Sequence, residues 1–409
     1  MPDVSFNGLF VVALIALGAP LLIGLVPAVK IPTPVLLILA GIAVGPSGLG
    51  WVKIDLPLQI LSLLGLAFLL FLAGLEIDPT KLRGRFLRLA GLGYVVSICL
   101  GVAVGFAFHA ANLTKSPLLI AIALSATSLG LIVPILVDAG QSEKEVGQLT
   151  IAGSSVADFA AVVLVSVFFS SSGGGIGAKV VLLVGFALLA VVAVLTLSRI
   201  GRSMRLGKVL DMLQDTTAEI RIRFAVVVLI AFVVLASHFG LEAILGAFVA
   251  GYVINLIDND SDGHPNFRIK LDAIGYGFLV PVFFVVSGLH FDLRGLVHSP
   301  AAFARIPLFL AGLFVVRAVP ALLYRSVLSW RGVFAAGLLQ ATSLPFLVTV
   351  SMIGVTLGTI KPITGSALVA AGVLSCMVFP LVSLSLLRPD DGAHSETDPG
   401  AQEGRPAAT

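Results

Sequence analysis

The stretch Ala126-Thr127-Ser128-Leu129 occurs a second time in the chain as Ala341-Thr342-Ser343-Leu344, 215 residues later. Two further pairs of strings share nearly the same offset, of 214 and 210 residues: Gly74-Leu75-x-x-Asp78 with Gly288-Leu289-x-x-Asp292, and Ala40-Gly41 with Ala250-Gly251. Alanine, glycine and leucine are common here, so each pair alone is weak evidence. The shared offset nevertheless predicts an internal repeat.

The composition around these strings is that of a membrane protein. Of the 409 residues, 58% are hydrophobic and 11% are charged, whereas a soluble domain has about 45–50% apolar and about 25% charged residues. A chain with so little charge could not cover the surface of a soluble protein. The composition argues against a typical cytosolic enzyme and a nucleic-acid binder, so we expect no nucleic-acid partner.

Apolar windows long enough to cross a bilayer recur along the whole chain. A helical span needs about 20 mostly apolar residues, and the many Gly and Pro residues are common in such helices. The windows predict thirteen transmembrane helices, with bounds near 7–27, 33–50, 58–76, 89–111, 116–138, 146–170, 178–198, 220–239, 241–257, 270–289, 300–324, 332–357 and 362–387. The repeated Ala-Thr-Ser-Leu string lies in the fifth and twelfth of them.

Basic residues are distributed unevenly between the loops. With the N-terminus outside, 18 of the 25 Lys and Arg residues fall in inside loops and five in outside loops. Because cytoplasmic loops carry the excess of Lys and Arg, this distribution predicts a multi-pass protein of the cell (inner) membrane with a cytoplasmic C-terminus. Residues 388–409 are polar and rich in Gly, Pro and Ala, and are predicted to form a disordered cytoplasmic tail.

The repeated strings lie seven predicted helices apart. Since seven is odd, the two copies must cross the membrane in opposite directions. We therefore predict an all-α transmembrane domain over residues 1–387, in which repeat one (about 7–170) and repeat two (about 220–387) each have six helices and a linker helix (about 178–198) joins them. Inverted repeats of this kind are typical of secondary transporters that work by alternating access.

Residues that break helices accompany both copies of the Ala-Thr-Ser-Leu string. They are Thr127, Ser128, Gly130 and Pro134 in the first copy, and Gln340, Thr342, Ser343 and Pro345 in the second. Hydroxyl residues beside Gly or Pro can free backbone groups, and matched breaks indicate a binding site near the membrane midplane. We predict two broken helices that cross there, with Thr127 and Ser128 as cation ligands. The alternative is that the hydroxyls bond back to their own helices and only bend them.

Asp158 is the only charged residue of the sixth predicted span, 146–170. A mid-membrane aspartate costs about 2.5–3.5 kcal/mol even on insertion scales, so such residues are usually functional. Ser154 and Ser155 precede Asp158 by four and three residues and share its helix face. We predict that Asp158 binds either a proton or a cation, with both serines as further ligands. The alternative is a permanent ion pair with Arg317 in the eleventh span.

Arg317 is the other charged side chain expected deep in the membrane. A guanidinium keeps its charge, so Arg317 is expected to hold the fold or to offset the dipoles of buried helix ends rather than to carry a proton. Glu76 and Glu242 lie at span ends and are expected at the membrane interface. No His or Cys pair has metal-ligand spacing and no catalytic or nucleotide-binding motif is visible, so we expect no metal, cofactor or enzymatic activity.

Four strings are shared with a known family: Phe-Leu-Leu-Phe-Leu-Ala-Gly-Leu-Glu (68–76), Ser-Ala-Thr-Ser-Leu-Gly (125–130), Gly-Ser-Ser-Val-Ala-Asp (153–158) and Pro-Val-Phe-Phe (281–284). Together they resemble the monovalent cation:proton antiporter family 2, which is of the sodium/proton exchanger type. The resemblance implies a homodimer with a mobile core domain that contains the broken helices beside Asp158. It also implies that the family's basic residue is Arg317, and it places Ala157 where members often have Asn or Asp.

These observations favour exchange of protons for a monovalent cation, Na+ or K+, by alternating access. With Ala157 beside it, only Asp158 changes protonation, so the exchange is expected to be electroneutral. Expected partners are protons, Na+ or K+, membrane lipid and a second copy of the chain. A cation-coupled organic-anion symporter of the bile-acid-carrier type would need more polar ligands and a roomier cavity. A non-transporting receptor or structural protein would need neither a buried acid nor matched helix breaks.

Overall fold

The computed structural model describes residues 6–25, 32–76, 84–169, 176–201, 219–259 and 265–387, and these residues form helices without any strand. Besides α-helices, these residues form a π-helix at Gly275–Leu279 and a 3-10 helix at Pro320–Ser326. In chain order the α-helices are α1 Asn7–Leu25, α2 Thr33–Val44, α3 Leu56–Leu75, α4 Gly84–Ala110, α5 Pro117–Ser125, α6 Leu129–Asp138, α7 Glu145–Phe169, α8 Ile176–Gly201, α9 Ile220–His238, α10 Ala243–Asn259, α11 Pro265–Ile274, α12 Val280–Leu289, α13 Leu293–His298, α14 Pro300–Phe303, α15 Arg305–Ala318, α16 Trp330–Gln340, α17 Pro345–Thr356 and α18 Pro362–Leu387.

Most of these helices have the length and composition of membrane spans. Within the described residues, nine helical segments are long and apolar enough to cross a membrane, and four shorter apolar helices occur between them. Each lies at the position of one of the predicted spans. The all-helical prediction is thereby confirmed. The tail predicted at residues 388–409 lies outside the described residues.

The fifth and twelfth predicted spans are each broken in two. The chain leaves the helical conformation after α5, at residues 126–128, and resumes with α6; it does so again after α16, at residues 342–344, and resumes with α17. Pro345 begins α17, where its missing N–H removes no helical hydrogen bond. Gly130 and Pro134, in contrast, lie within α6 rather than in the break.

The tenth and eleventh predicted spans contain irregular turns that their apolar sequences do not indicate. In the tenth, the π-helix precedes Pro281, which cannot donate an amide to the preceding turn. In the eleventh, regular helix ends at Ala318, and Pro320 leaves the carbonyl of Val316 without its helical donor. The hydroxyl of Ser97 donates to that carbonyl at 2.6 Å instead. A neighbouring helix, α4, thus stabilises the irregular end of α15.

Glycines of the repeated strings allow two helix pairs to approach closely. A Cβ atom at Gly41 of α2 would lie 3.1 Å from the Cα of Gly288 in α12. A Cβ atom at Gly251 of α10 would likewise lie 3.1 Å from the amide nitrogen of Leu75, one residue after Gly74 in α3. Small residues permit such backbone contact between membrane helices. The pairs α2–α12 and α3–α10 therefore join the two predicted repeats.

Helix α1 presents a broad apolar face to the surroundings. Its side chains Phe10, Leu14, Leu17 and Leu21 are each more than half exposed. A large exposed apolar surface on a soluble protein would be a binding or aggregation site, whereas on a membrane helix it is the surface that contacts lipid tails. This face agrees with the expected lipid environment.

Candidate ion-binding site

Asp158, in the middle of α7, caps the second half of the first broken helix. Its Oδ2 accepts a hydrogen bond from the amide of Leu129 at 3.0 Å, and its Oδ1 accepts one from the amide of Thr127 at 3.3 Å. Leu129 is the first residue of α6. The first amides of a helix lack helical partners and carry the positive end of its dipole, so this position stabilises a negative charge. The break thus creates a binding position for a carboxylate.

The carboxylate of Asp158 faces a cavity of about 600 Å³. Thr127 and Ser128 line the cavity beside it, and side chains from α1, α2, α3 and α12 form much of the remaining wall. The Ser128 side chain caps no amide of α6. Asp158 and Ser128 therefore place oxygen atoms at one wall of an otherwise largely apolar chamber.

The two helix breaks contact each other directly. The hydroxyl of Thr127, in the first break, donates to the carbonyl of Gln340, at the end of α16, at 3.0 Å. In the second break, the hydroxyl of Thr342 donates to the carbonyl of Leu338 at 3.2 Å. The Ser375 hydroxyl bonds to both the amide and the carbonyl of Ser343, each at 3.2 Å. The Thr127 bond thus joins the two broken helices, the Thr342 bond returns to its own helix, and Ser375 of α18 binds the backbone that the second break frees.

Arg317 is buried behind these breaks and donates to groups on three other helices. Its Nε bonds to the carbonyl of Gln340 at 3.3 Å, and its Nη1 bonds to Ser97 Oγ at 3.0 Å. Its Nη2 bonds to the Gly153 carbonyl and to Gln340 Oε1, both at 3.4 Å. The Gln340 carbonyl lies at the negative end of the α16 dipole, which a cation stabilises. No ion pair joins Arg317 to Asp158 in the described part of the chain, which disfavours the alternative of permanent pairing.

The same network fixes the position of α7 and so of Asp158. Gln340 Nε2 donates to the hydroxyl of Tyr324 at 2.9 Å. A Cβ atom at Gly153 would lie 2.5 Å from Gln340 Nε2 and 2.7 Å from Tyr324 Oη, so a larger residue there would displace these side chains. Because Gly153 precedes Asp158 by five residues on α7, the network contacts the helix that carries the carboxylate.

Some of the hydroxyls predicted as cation ligands form hydrogen bonds within the protein, and others do not. Ser155 donates back to the carbonyl of Ile151 at 2.9 Å, and Thr127 is engaged with Gln340. Ser154 Oγ is buried and has no hydrogen-bond partner, and the same holds for Ser343 Oγ. Bonding back to the same helix therefore occurs at Ser155 and at Thr342 but not at Thr127 or Ser154.

Tyrosine is the residue type that the sequence reasoning overlooked. The chain has only four tyrosines, and three of them lie around the site. Tyr94 Oη lies 3.3 Å from Ser125 Oγ at the end of α5, Tyr324 binds Gln340, and Tyr276 lines the Asp158 cavity. A buried tyrosine usually needs a partner for its hydroxyl, so rare tyrosines in an apolar chain are a usable signal for a polar site.

Two broken helices that meet beside a buried carboxylate are the features of a multi-pass membrane transporter. The transmembrane sodium/hydrogen exchanger family matches residues 13–387. The chain belongs to that family, and the family resemblance inferred from the sequence is confirmed.

Named relatives include several antiporters. YjbQ of Bacillus subtilis (strain 168) is 30% identical over 408 aligned residues, which cover 96% of this chain and 64% of YjbQ. A Na(+)/H(+) antiporter of Enterococcus hirae is 29% identical over 273 residues, or 64% of this chain and 67% of that protein. The Na(+)/H(+)-K(+) antiporter GerN of Bacillus cereus is 27% identical over 305 residues, or 71% of this chain and 74% of GerN. The chain thus spans 64% of the length of YjbQ.

A solved structure shares the fold. The sodium proton antiporter MjNhaP1 from Methanocaldococcus jannaschii, at pH 8, superposes with a TM-score of 0.65 over 93% of this chain and 98% of MjNhaP1. The two sequences are 18% identical over this region. The predicted class of all-helical membrane protein is therefore confirmed at the level of the fold.

Proposed function

We propose that the chain exchanges protons for a monovalent cation, Na+ or K+, across the membrane, and that Asp158 binds the proton and the cation in turn. The observation that carries this proposal is the position of the Asp158 carboxylate. It lies in a cavity at a helix break and is held by two amides, with no fixed counter-ion among the residues that the structure describes. The names of the Enterococcus hirae antiporter and of GerN support Na+, and in GerN also K+, as the cation.

The environment of Asp158 explains why the movement of protons should be strictly coupled to the movement of the cation. A bare carboxylate in a largely apolar cavity is costly, because its desolvation is only partly offset by two amide donors. A bound proton or a bound cation each neutralises it. The core domain that contains the broken helices is therefore expected to move when a proton or a cation is bound to Asp158, and rarely when the carboxylate is empty. Ser128, Ser154 and Thr127 supply the further oxygen ligands in this proposal, with Ser155 behind them.

We propose that the movement is alternating access between two inverted repeats. The close helix pairs α2–α12 and α3–α10 support this arrangement. A twofold axis that exchanges Gly41 with Gly251 and Gly288 with Gly74 converts one pair into the other, as the repeated strings require. The halves would be residues 7–170 and 220–387, joined by a linker helix near 178–198.

We also propose that the protein lies in the cell (inner) membrane as a homodimer, with its N-terminus outside and its C-terminus in the cytoplasm. The distribution of Lys and Arg supports the orientation.

Proteoliposomes that contain a trapped pH dye test the proposed exchange. After acid loading, external Na+, K+ and Li+ are added in turn to vesicles with the purified chain and to protein-free vesicles. We expect Na+ or K+ to make the lumen more alkaline only when the chain is present. Absence of proton movement with every cation would contradict the proposal. Uptake of an organic anion together with Na+ would instead favour the symporter alternative.

Removal of the Ser128 hydroxyl and removal of the Thr127 hydroxyl are expected to have different effects on stability. Ser128→Ala removes an oxygen from the cavity, so it should raise the apparent KM for the cation several-fold without changing thermal stability. Thr127→Ala also removes a proposed ligand and should raise the KM, and because it removes the hydrogen bond that joins the two breaks it should in addition lower the stability by about 1 kcal/mol. Exchange kinetics and thermal unfolding in detergent measure both effects, with Thr127→Ser as the control that keeps the bond. An unchanged KM in Ser128→Ala would remove that residue from the site.

Exchange is expected to be electroneutral. The site is neutral with a proton and neutral with a monovalent cation, while Arg317 keeps its charge in both states and cancels from the comparison. An electrogenic exchanger would respond to membrane potential by about 2.3 kcal/mol per charge per 100 mV. Exchange of Na+ for protons is measured at imposed potassium-diffusion potentials of both signs. If the ratio of protons to Na+ exchanged, or the steady pH in the lumen, shifts with the membrane potential, a second group must titrate during the cycle.

A further inference from the structure

A second cavity lies beside the one that contains Asp158. Its volume is about 710 Å³, and its polar wall includes Glu76, Arg268, Asp272 and Tyr276. Tyr276 and Gly130 border both cavities. Glu76 directly follows α3, at the end that the distribution of basic residues places on the inside. An ion that enters from this side meets Glu76 before it reaches Asp158.

Glu76 lies at the end of its span, where the sequence places it, and its side chain is largely covered by the protein. Its Oε2 is buried and has no hydrogen-bond partner among the described residues, and the Tyr276 hydroxyl lies beside its side chain. Its amide donates to the carbonyl of Leu72 at 3.1 Å, which fixes it on the last turn of α3. The C-terminal end of a helix favours a cation. A buried carboxylate oxygen without a donor, placed at such an end, indicates a ligand that is a cation.

The net charge of the groups around Glu76 would be balanced by one monovalent cation. Arg268 donates through Nη2 to the carbonyl of Leu75 at 3.0 Å, and it interacts with Glu76 through space, as Asp272 and Asp158 do. The formal charges of Glu76, Asp272 and Arg268 sum to −1. Carboxylate and hydroxyl oxygens suit hard cations such as the alkali metals. A net charge of this size is balanced by one monovalent ion.

Gly130 keeps the space between the two carboxylates open. A Cβ atom at Gly130 would lie 3.4 Å from Tyr276 Oη and 3.8 Å from each carboxylate oxygen of Glu76. The amide of the preceding residue, Leu129, donates to Asp158. The surroundings of Glu76 and of Asp158 are thus separated by one residue of α6, and a cation leaving Glu76 passes the start of that helix.

We propose that Glu76, together with the Tyr276 hydroxyl, forms a second monovalent-cation site that the transported ion occupies before it reaches Asp158. This inference rests on the proposed exchange function. Glu76 replaces part of the hydration shell of the ion and raises its concentration near Asp158.

Transport kinetics in proteoliposomes test the role of Glu76. In Glu76→Gln the apparent KM for Na+ on the Glu76 side should rise roughly tenfold through the lost attraction, while the maximal rate is kept because saturating Na+ still loads Asp158. Glu143→Gln is the matched control, since Glu143 is an exposed carboxylate in the loop between α6 and α7, at the same end of the molecule. An unchanged KM in Glu76→Gln, or an equal rise in Glu143→Gln, would overturn the inference.

Direct binding of Tl+, a monovalent cation that is easily quantified, separates this site from Asp158. Equilibrium dialysis in detergent compares Asp158→Asn with the double variant Asp158→Asn/Glu76→Gln. We expect Asp158→Asn to retain one class of Tl+ site and the double variant to bind roughly tenfold more weakly. Equal binding by the two variants, or no binding by Asp158→Asn, would contradict the second site.

Failure of the inference differs from failure of the proposed function. If wild-type vesicles exchange protons for Na+ but both Glu76 comparisons show no change, the second site is wrong and the exchange function stands. If wild-type vesicles show no exchange with any cation, the proposed function is wrong. The Tl+ comparison then still decides whether Glu76 binds a cation.

Discussion

Asp158→Asn is expected to abolish cation-driven proton flux and to leave the protein folded. The amide side chain has the size of the carboxylate, and its Oδ1 can still accept a hydrogen bond from the first turn of α6. It cannot take up or release a proton in the working pH range, and it offers a cation no negative charge. Proton flux in vesicles containing the variant should fall to the level of protein-free vesicles.

The matched control for this prediction is Glu143→Gln, which neutralises an exposed carboxylate and should leave the exchange rate unchanged. Elution from size-exclusion chromatography and thermal unfolding in detergent show whether each variant is folded. A folded Asp158→Asn protein that still moves protons against a cation gradient would mean that another group carries the proton.

Arg317→Ala is expected to produce the largest loss of stability of any single charge removal in the chain. The change removes the donor that Arg317 supplies to the carbonyls of Gln340 and Gly153 and to the hydroxyl of Ser97 in the buried interior, and the Gln340 carbonyl then keeps the bond from Thr127. A hydrogen bond to a charged group typically contributes about 1.5–3 kcal/mol, and several such bonds are lost together in this variant. Thermal unfolding in detergent should show a midpoint several degrees lower, with a corresponding loss of folded yield.

Arg88→Ala serves as the control, because Arg88 is exposed on α4 and its removal should change the midpoint little. Arg317→Lys should be intermediate, since one ammonium group cannot reach all the acceptors of a guanidinium. If Arg317→Ala were as stable as wild type yet inactive, Arg317 would act in the transport chemistry rather than as a support for the helix ends.

Several parts of this site could be predicted from residues alone. Hydropathy locates the spans because a bilayer requires about 20 apolar residues per helix. Asp158 is recognisable because a lone acid in such a span is costly. The breaks at Thr127 and Thr342 are recognisable because the same hydroxyl string appears twice beside Gly or Pro. Each of these signals can be read from a short stretch of sequence. Each depends on the free-energy cost of placing polar or charged groups in the bilayer.

The partners of these residues could not be predicted in the same way. That the amides of Thr127 and Leu129 bind Asp158 depends on the direction in which α6 leaves the break. Glu76 follows an apolar span and looks interfacial in sequence, yet the packing of Tyr276 and Gly130 against it makes it part of the wall of a cavity. Arg317 contacts three separate helices, and no spacing along the chain encodes that arrangement. Long-range packing decides all three.

Proton release on cation binding tests the central claim, that one carboxylate binds the proton and the cation in turn, most directly. Na+ or K+ is added to the purified protein in weakly buffered detergent solution, at a pH where Asp158 is protonated, and the released protons are counted with a pH indicator. We expect about one proton per chain at saturation, since a bound cation must displace the proton, and none from Asp158→Asn. Cation binding without proton release, or equal release from Asp158→Asn, would contradict the account.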